Sequence, residues 1–593
     1  MRSAAQLAVY ETFEDVYGRK STIDELIAEV ATFTQQSVLW VCAVVVAGLQ
    51  LWNKVELQPF GIYVRLLSLY FDPSLRGRFI TGYWSSEPRR LVFHRRQILL
   101  IAKLAVLHCS ARGTDLRFNA DRFGSVLLKA NDQFDYGLLA QFKDSDRPVA
   151  GREDFAKIIA EMVAVGEDAS AEILPLMTLS HLMLTRFANE LRSRPDFVDV
   201  AGEYQKAAGL TIEEFEAMIF GVHSRFGAEM SKKLITDPGV LPLKDENFAT
   251  TAIPVDKASA FVDSLAAGPS AMAHDLQRDN NGPNDFTIFR KFPLIRQYYN
   301  LHLKTAWCGF LMMDNLFFLE KVLTGPYWNA NAIYGLKLRG FWGAVFEKYV
   351  NELMRRACAG TQSQFIADPR PLDNPNTQIC DGIVVSGDSI VLMEYKSAMF
   401  RADTKYGGNY LALGDEITKK FVHDRESKDK KGVWQLSDAV QILFGPNASK
   451  VNPEIALDNI KNVYLYIVTL DSIGGTIGMS PFLNTILEER LDRSAYSKLH
   501  IRPLFCSDIE ALEVATGYFA RSSLPQILEK WFLTNPSLAA PLEAIDFGRL
   551  SWQTNDWLRV EWDSIFRSTV KILFPDKDPD DALAEAKKRG KRS

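Results

Sequence analysis

The chain has 593 residues, 47% of them hydrophobic and 24% charged, with a formal net charge of -5. That length exceeds one ordinary core, so about two to four domains of roughly 100–200 residues each are expected, and the composition excludes an intrinsically disordered chain. The small net charge neither requires nor excludes a nucleic-acid partner, which depends on local basic surface.

The N-terminal stretch MRSAAQLAVYETFEDVYG brings in acids early and lacks a long apolar core, unlike a signal peptide. Residues 37–52 (SVLWVCAVVVAGLQLW) carry no charge. As a helix they would span about 24 Å, short of a hydrocarbon core of ~30 Å. A buried helix of a large helical domain is therefore expected, with a membrane anchor as the alternative. Residues 1–235 read as mostly helical. Thr211 and Glu214 form a capping-box pattern, after which Phe215, Met218, Ile219, Val222 and Phe226 recur at helical spacing. Similar periodicity over 152–192 is interrupted at Gly166 and Pro175. Residues 237–285 hold Pro238, Pro242, Pro254, Pro269 and Pro283 and read as a linker or irregular crossover. The apolar, aromatic stretch 286–328 is expected to contain a helix over 307–323.

From about Phe341 the pattern changes. Residues 341–356 (FWGAVFEKYVNELMRR) form an amphipathic helix, and 364–367 a short strand. Residues 378–386 (QICDGIVVS) and 389–397 (SIVLMEYKS) are β-branched, apolar runs joined by Gly387-Asp388, the signature of a tight hairpin. Helices are expected over 410–423 and 433–444. A strand buried on both faces follows at 463–470, another at 499–506, and then a helix capped by Ser507. The fold class is α+β and multidomain. A mostly helical region (1–235) is followed by a connector (236–330), a mixed sheet flanked by helices (331–530) and a helical extension with a basic tail (531–593), the tail KKRGKR at 587–592 being solvated and disordered, with a nucleic-acid contact as the alternative.

The six cysteines, Cys42, Cys109, Cys308, Cys358, Cys380 and Cys506, contain no CxxC pair. A zinc ribbon or thioredoxin-like site is therefore not expected, and reduced thiols in a cytoplasm are. There is also no GxxxxGK[ST], HExxH or GxSxG motif.

Chemistry concentrates in the hairpin. Asp381 is expected near the middle of its first strand, and Glu394 and Lys396 on its second. A strand repeats every two residues, so Glu394 and Lys396 leave the same face. A turn at Gly387-Asp388 brings Asp381 close to them. Two carboxylates inside an apolar sheet repel and must protonate or bind a cation, and a divalent ion suits oxygen ligands of this kind. Two other ExK triplets, Glu426-Ser427-Lys428 and Glu585-Ala586-Lys587, lie in highly charged segments without a strand.

The pattern Glu347 … Cys380-Asp381 … Glu394-Tyr395-Lys396 resembles the PD-(D/E)xK nuclease superfamily of restriction-endonuclease-like and RecB-like domains, over residues 341–506. Cys380 stands where the motif name has proline. The resemblance implies a restriction-endonuclease-like mixed sheet and a phosphodiester hydrolase using Mg²⁺ or Mn²⁺. Asp381, Glu394, Glu347 and the Tyr395 carbonyl would be the metal ligands, Lys396 would position the attacking water, and Gln435 on the following helix completes the set. Lys405, Lys419 and Lys420 are candidate phosphate contacts, although the loop 401–409 reads as surface. The implied partner is nucleic acid, DNA favoured over RNA, cut by a cytoplasmic enzyme that does not bind membrane and would act as a homodimer when cutting both strands. The helical region is expected to bind a regulatory protein or a phage-derived trigger, as in bacterial antiviral defence. The alternative is a nuclease-fold module that binds nucleic acid or a partner without cutting it.

Overall fold

The computed structural model describes residues 9–52, 59–86, 90–110, 119–134, 151–166, 173–233, 243, 247–279, 282–299, 307–423, 430–446, 448, 450–452, 455–535 and 555–590. The N-terminal half is mostly helical, and its helices start where side chains satisfy the first free N–H groups. Thr12 with Asp15, and Thr22 with Glu25, form reciprocal capping boxes. Thr211 and Glu214 do the same, with contacts of 3.0 and 3.2 Å, at the head of the helix Ile212–Lys233. That helix buries Phe215, Met218, Ile219, Val222 and Phe226. The uncharged run forms the helix Gln35–Trp52 and packs against Arg95–His108, whose residues from Ile98 to Val106 are buried. Among the described residues no helix is long and apolar enough to cross a membrane.

Two stretches differ from the sequence reading. The expected linker contains two helices, Val255–Leu265 and Pro269–Asp279. Its prolines start helices here: Pro254 precedes the first, and Pro269 is the first residue of the second, where a missing N–H costs nothing. The helix expected over 307–323 begins instead at Asn315. Asp314 caps it by accepting from the Leu316 and Phe317 N–H groups at 2.8 and 3.0 Å. The residues before that cap form the strand Trp307–Met312, antiparallel to Leu294–Tyr299.

The helix Leu336–Cys358 leads into a five-stranded mixed sheet. Its spatial order is His500–Asp508, Asn462–Thr469, Ser389–Lys396, Gly382–Ser386 and Gln364–Ala367. The first three strands are mutually parallel, and the last three pair antiparallel. The hairpin turns at Gly387-Asp388, with Gly387 at a φ of +61°, a conformation open to glycine. The last helix of this order, Ile509–Thr516, is capped by Asp508 and not Ser507, because the Asp508 carboxylate accepts from the Ala511 N–H at 3.0 Å. The basic tail is not wholly irregular: the helix Pro579–Gly590 takes in Lys587, Lys588 and Arg589, while Lys591 and Arg592 lie outside the described residues.

Both faces of the sheet are covered. Val391, Met393, Tyr395, Tyr466 and Val468 join one continuous core with Tyr349 and Phe346 of the preceding helix and with the helices of the N-terminal half. A buried hydrogen bond of 2.5 Å from Tyr349 to Glu513 ties that helix to Ile509–Thr516. On the other face Ile390, Leu392, Leu465 and Ile467 pack with Ile417, Leu436 and Val440. This second core also takes Ala156, Ile159 and Val163 from the helix Arg152–Gly166, although that helix lies far away in sequence. Tyr410 fixes the contact, donating to Glu153 at 3.2 Å and lying under the Lys157 ammonium at 4.9 Å.

The packing makes residues of the N-terminal half part of the sheet's own core. Ile159→Ala is expected to destabilise the full chain by about 2–5 kcal/mol, because the side chain is fully buried there. Denaturant unfolding followed at the sheet checks this; a loss below about 0.5 kcal/mol, the range of surface substitutions, would contradict it.

Candidate functional site

The hairpin register sets the site. Gly382 pairs with Met393, so Asp381 stands one step further along, beside Glu394. Asp381 is not mid-strand as the sequence suggested but immediately precedes the strand Gly382–Ser386. Its backbone still extends the ladder, with its N–H donating to the Met393 carbonyl at 3.0 Å and its carbonyl accepting from the Asp368 N–H at 3.1 Å. One Asp381 carboxylate oxygen accepts from the Tyr395 N–H at 2.6 Å, the other from Gln378 at 3.2 Å.

On the second strand Glu394 and Lys396 share the face of Ile390 and Leu392, while Tyr395 points with Val391 and Met393 to the opposite core. Glu394 is 1% exposed. Lys396 donates from Nζ to Glu394 Oε2 at 2.6 Å and to Gln435 Oε1 at 3.0 Å. Gln435 reaches it because the helix Gly432–Phe444 starts against the strand. Its first residue must be small: a Cβ on Gly432 would lie 2.8 Å from the Phe421 carbonyl oxygen and 3.2 Å from Lys396 Cε. The neighbouring Trp434 faces away and stacks on His423 at 4.2 Å.

Electrostatics follow from burial. Desolvation, then the neighbouring Asp381 carboxylate, push the Glu394 carboxyl up to about 8, against the pull of Lys396. Burial lowers the Lys396 ammonium, but Glu394 and Asp381 outweigh it and hold the group above its ordinary value. Glu347, half-buried on the helix Leu336–Cys358, is pushed up to about 7 by burial, then by Asp381 and Asp368, while Arg194 and Lys396 pull it down.

Asp368 escaped the sequence reading. It follows the strand Gln364–Ala367 with a φ of +48°, the one non-glycine residue with positive φ among those described. One of its carboxylate oxygens binds Arg370 at 2.8 Å, and the other is buried without a hydrogen-bond partner. The Asp368-Pro369 pair is a turn signal, but nothing local ties it to Glu347 or Asp381.

The structure brings Glu347, Asp381, Glu394, Lys396 and Gln435 to one end of the sheet. Of the three candidate phosphate lysines, two are held in ion pairs. Lys405 does not lie on an open surface loop: it is in the short helix Ala402–Tyr406, with its side chain 10% exposed and paired at 2.7 Å with the buried Asp471. Asp471 also accepts from the Phe400 and Ile473 N–H groups at 3.3 and 3.0 Å, which makes it a collecting point for that turn. Lys420 pairs with Glu416 at 2.8 Å and donates to the Met399 carbonyl. Lys419 is exposed on the same helix, Tyr410–Phe421. Of the other ExK triplets, Glu585-Ala586-Lys587 is helical and Glu426-Ser427-Lys428 lies outside the described residues.

Asp381 and Glu394 are adjacent acids whose repulsion a divalent cation relieves. Among the described residues no three His, Cys, Asp or Glu side chains are gathered so as to hold a metal ion, so Glu347 is not brought into one ligand group with Asp381 and Glu394. The fit is therefore to an ion that takes one or two carboxylates and keeps water for the rest, as Mg²⁺ does. Comparison with protein-family models, with curated proteins and with solved structures finds no match to this chain.

Two outcomes follow. Gly432→Ala should destabilise the chain by about 1–3 kcal/mol, since a backbone oxygen cannot move aside as a flexible side chain can; thermal unfolding measures it, and a neutral result would contradict the packing. The Glu394 carboxyl, raised from its ordinary 4.5 to about 8, favours the fold while protonated. Without metal, the stability it contributes is fully present below about pH 4.5 and is lost as pH rises toward about 8. Glu394→Gln should abolish that decline in denaturant unfolding across roughly pH 5 to 9; an unchanged pH profile would contradict the assignment.

Proposed function

We propose that this chain is a metal-dependent nuclease that hydrolyses phosphodiester bonds, with DNA the favoured substrate. The observation that carries the reading is Lys396 held between the buried Glu394 and Gln435, with Asp381 alongside. Charge of this kind inside a core costs several kcal/mol, and a hydrophobic replacement would often be more stable. The order of helix, strand, hairpin, helices and strand, with Glu347 on the first helix and Gln435 on Gly432–Phe444, the third helix after the hairpin, supports a restriction-endonuclease-like core of the PD-(D/E)xK kind.

In this reading Asp381 and Glu394 would hold a divalent ion, Mg²⁺ or Mn²⁺, which would supply Lewis acidity toward a phosphodiester oxygen and the attacking water. The Tyr395 N–H fixes one Asp381 oxygen, so that carboxylate is pre-oriented before any ligand arrives. The Tyr395 carbonyl is a further ligand by resemblance alone. Lys396 keeps its proton and supplies fixed positive charge where negative charge develops on phosphorus-bound oxygens. Gln435 restrains the ammonium so that it does not collapse fully onto Glu394. Glu347, titrating near neutrality, is suited to take a proton from water at working pH. The helical half is then the regulatory or partner-binding part, a phage-derived trigger being one class of partner, and a homodimer would allow both strands of a duplex to be cut.

The test is cleavage by the purified full-length protein of plasmid, linear and single-stranded DNA and of RNA, with Mg²⁺, Mn²⁺ or EDTA. Cleavage should require the metal, and Asp381→Asn and Lys396→Ala should each lower it by at least about 100-fold. Metal binding without cleavage of any substrate by the wild type would favour the non-cutting nuclease-fold module. Cleavage that survives in both variants would place the active site elsewhere.

A further inference from the structure

The helix that carries Glu347 has a second neighbour besides the sheet. Residues 190–197 of the N-terminal half run along one flank of it. Glu190 pairs with Lys348 at 2.9 Å. Phe197 meets Phe341 edge to face, with ring centroids 5.3 Å apart. A Cβ on Gly340 would lie 3.7 Å from Asp196 Oδ2. These anchors, at positions 340, 341 and 348, bracket Glu347 on its own helix and set the intervening turn beside it. Arg194 is on that turn. Its guanidinium and the Glu347 carboxylate influence each other electrostatically, and Lys337 does the same to Asp196.

Arg194 has little structural work to do. Its partner is Asp196, two residues away, through a fork of 2.8 and 3.0 Å, and its side chain is 44% exposed. An exposed local pair of this kind contributes little to stability. A guanidinium fork held in the open beside an acidic centre has the geometry that binds a phosphate through two parallel N–H groups. With Lys337 on the same flank, it supplies positive charge next to a site whose own side chains are mainly carboxylates.

We propose that Arg194 binds a backbone phosphate of the nucleic-acid substrate next to the scissile one, so that the helical half supplies part of the substrate grip. Asp196 holds the guanidinium in its absence and is displaced by the incoming phosphate. The proposal rests on the nuclease reading and extends it to a residue outside the hairpin and its flanking helices.

The experiment measures binding of the full-length protein to a short fluorescein-labelled DNA duplex, and in parallel to a single-stranded RNA, by fluorescence anisotropy in EDTA over a series of salt concentrations. Cleavage kinetics with Mg²⁺ are measured alongside. Arg194→Ala should weaken binding about tenfold, with the loss in kcat/KM carried by KM, and should reduce the slope of log affinity against log salt by about 1. Asp196→Asn should act in the opposite direction and tighten binding, because it releases the guanidinium and removes a nearby negative charge. Opposite signs in the two variants support the proposal, since a merely structural fork would lose affinity in both. Equal losses in both variants, or an Arg194→Ala protein that binds and cuts as the wild type does, would overturn it while leaving the nuclease reading intact. A wild-type protein that neither binds nor cuts nucleic acid would overturn both.

Discussion

A carboxyl group that is almost wholly excluded from solvent, Glu394, sits beside a second acid, Asp381, and is held by one ammonium group, Lys396. Much of the C-terminal half is arranged around that arrangement. Removing one partner from a buried charged set costs about 3–5 kcal/mol, because the remaining charge is left uncompensated. The neighbours therefore have little freedom. Gln435 satisfies a second Lys396 donor, Gly432 leaves room for the helix to come that close, and the Tyr395 N–H takes up one Asp381 oxygen. None of these contacts is needed to close a hydrophobic core. Together they keep two acids and a base within reach of one another at one end of the sheet.

The surrounding architecture gives that end its rigidity. The strand Asn462–Thr469 lies between two parallel neighbours and is buried along nearly its whole length, so the central strands cannot slip by one residue without exposing a core face. One face of the sheet shares its core with the helical half, and the other is closed partly by Arg152–Gly166. The helix Leu336–Cys358 touches residues 190–197 on one side and carries Glu347 toward Asp381 on the other.

The hairpin was legible in the sequence because the period of two and the Gly387-Asp388 turn are local signals. Together they put Glu394 and Lys396 on one face and bring Asp381 within a residue of its place. The helices bearing Glu347 and Gln435 were legible from their apolar spacing. What escaped depends on distant contacts or on ambiguous local ones. Prolines at 254 and 269 start helices as readily as they break them. The run from Trp307 to Leu323 is mostly apolar, broken by Asp314-Asn315 and Glu320-Lys321, and carries no period that separates strand from helix; Asp314 marks the boundary only once its cap is seen. Lys405 lies in a polar loop by composition, yet Asp471, far along the chain, draws it inside. Asp368 and Arg194 approach the site from segments whose local sequence says nothing about Glu347.

The most direct test of the account is a crystal structure of the full-length protein soaked in Mn²⁺, read by its anomalous difference map. The account predicts a peak within coordination distance of both Asp381 and Glu394, with Lys396 still in contact with Gln435. A map with no peak there at saturating metal, and Lys396 still closed on Glu394, would contradict the assignment of this end of the sheet as a metal-dependent active site.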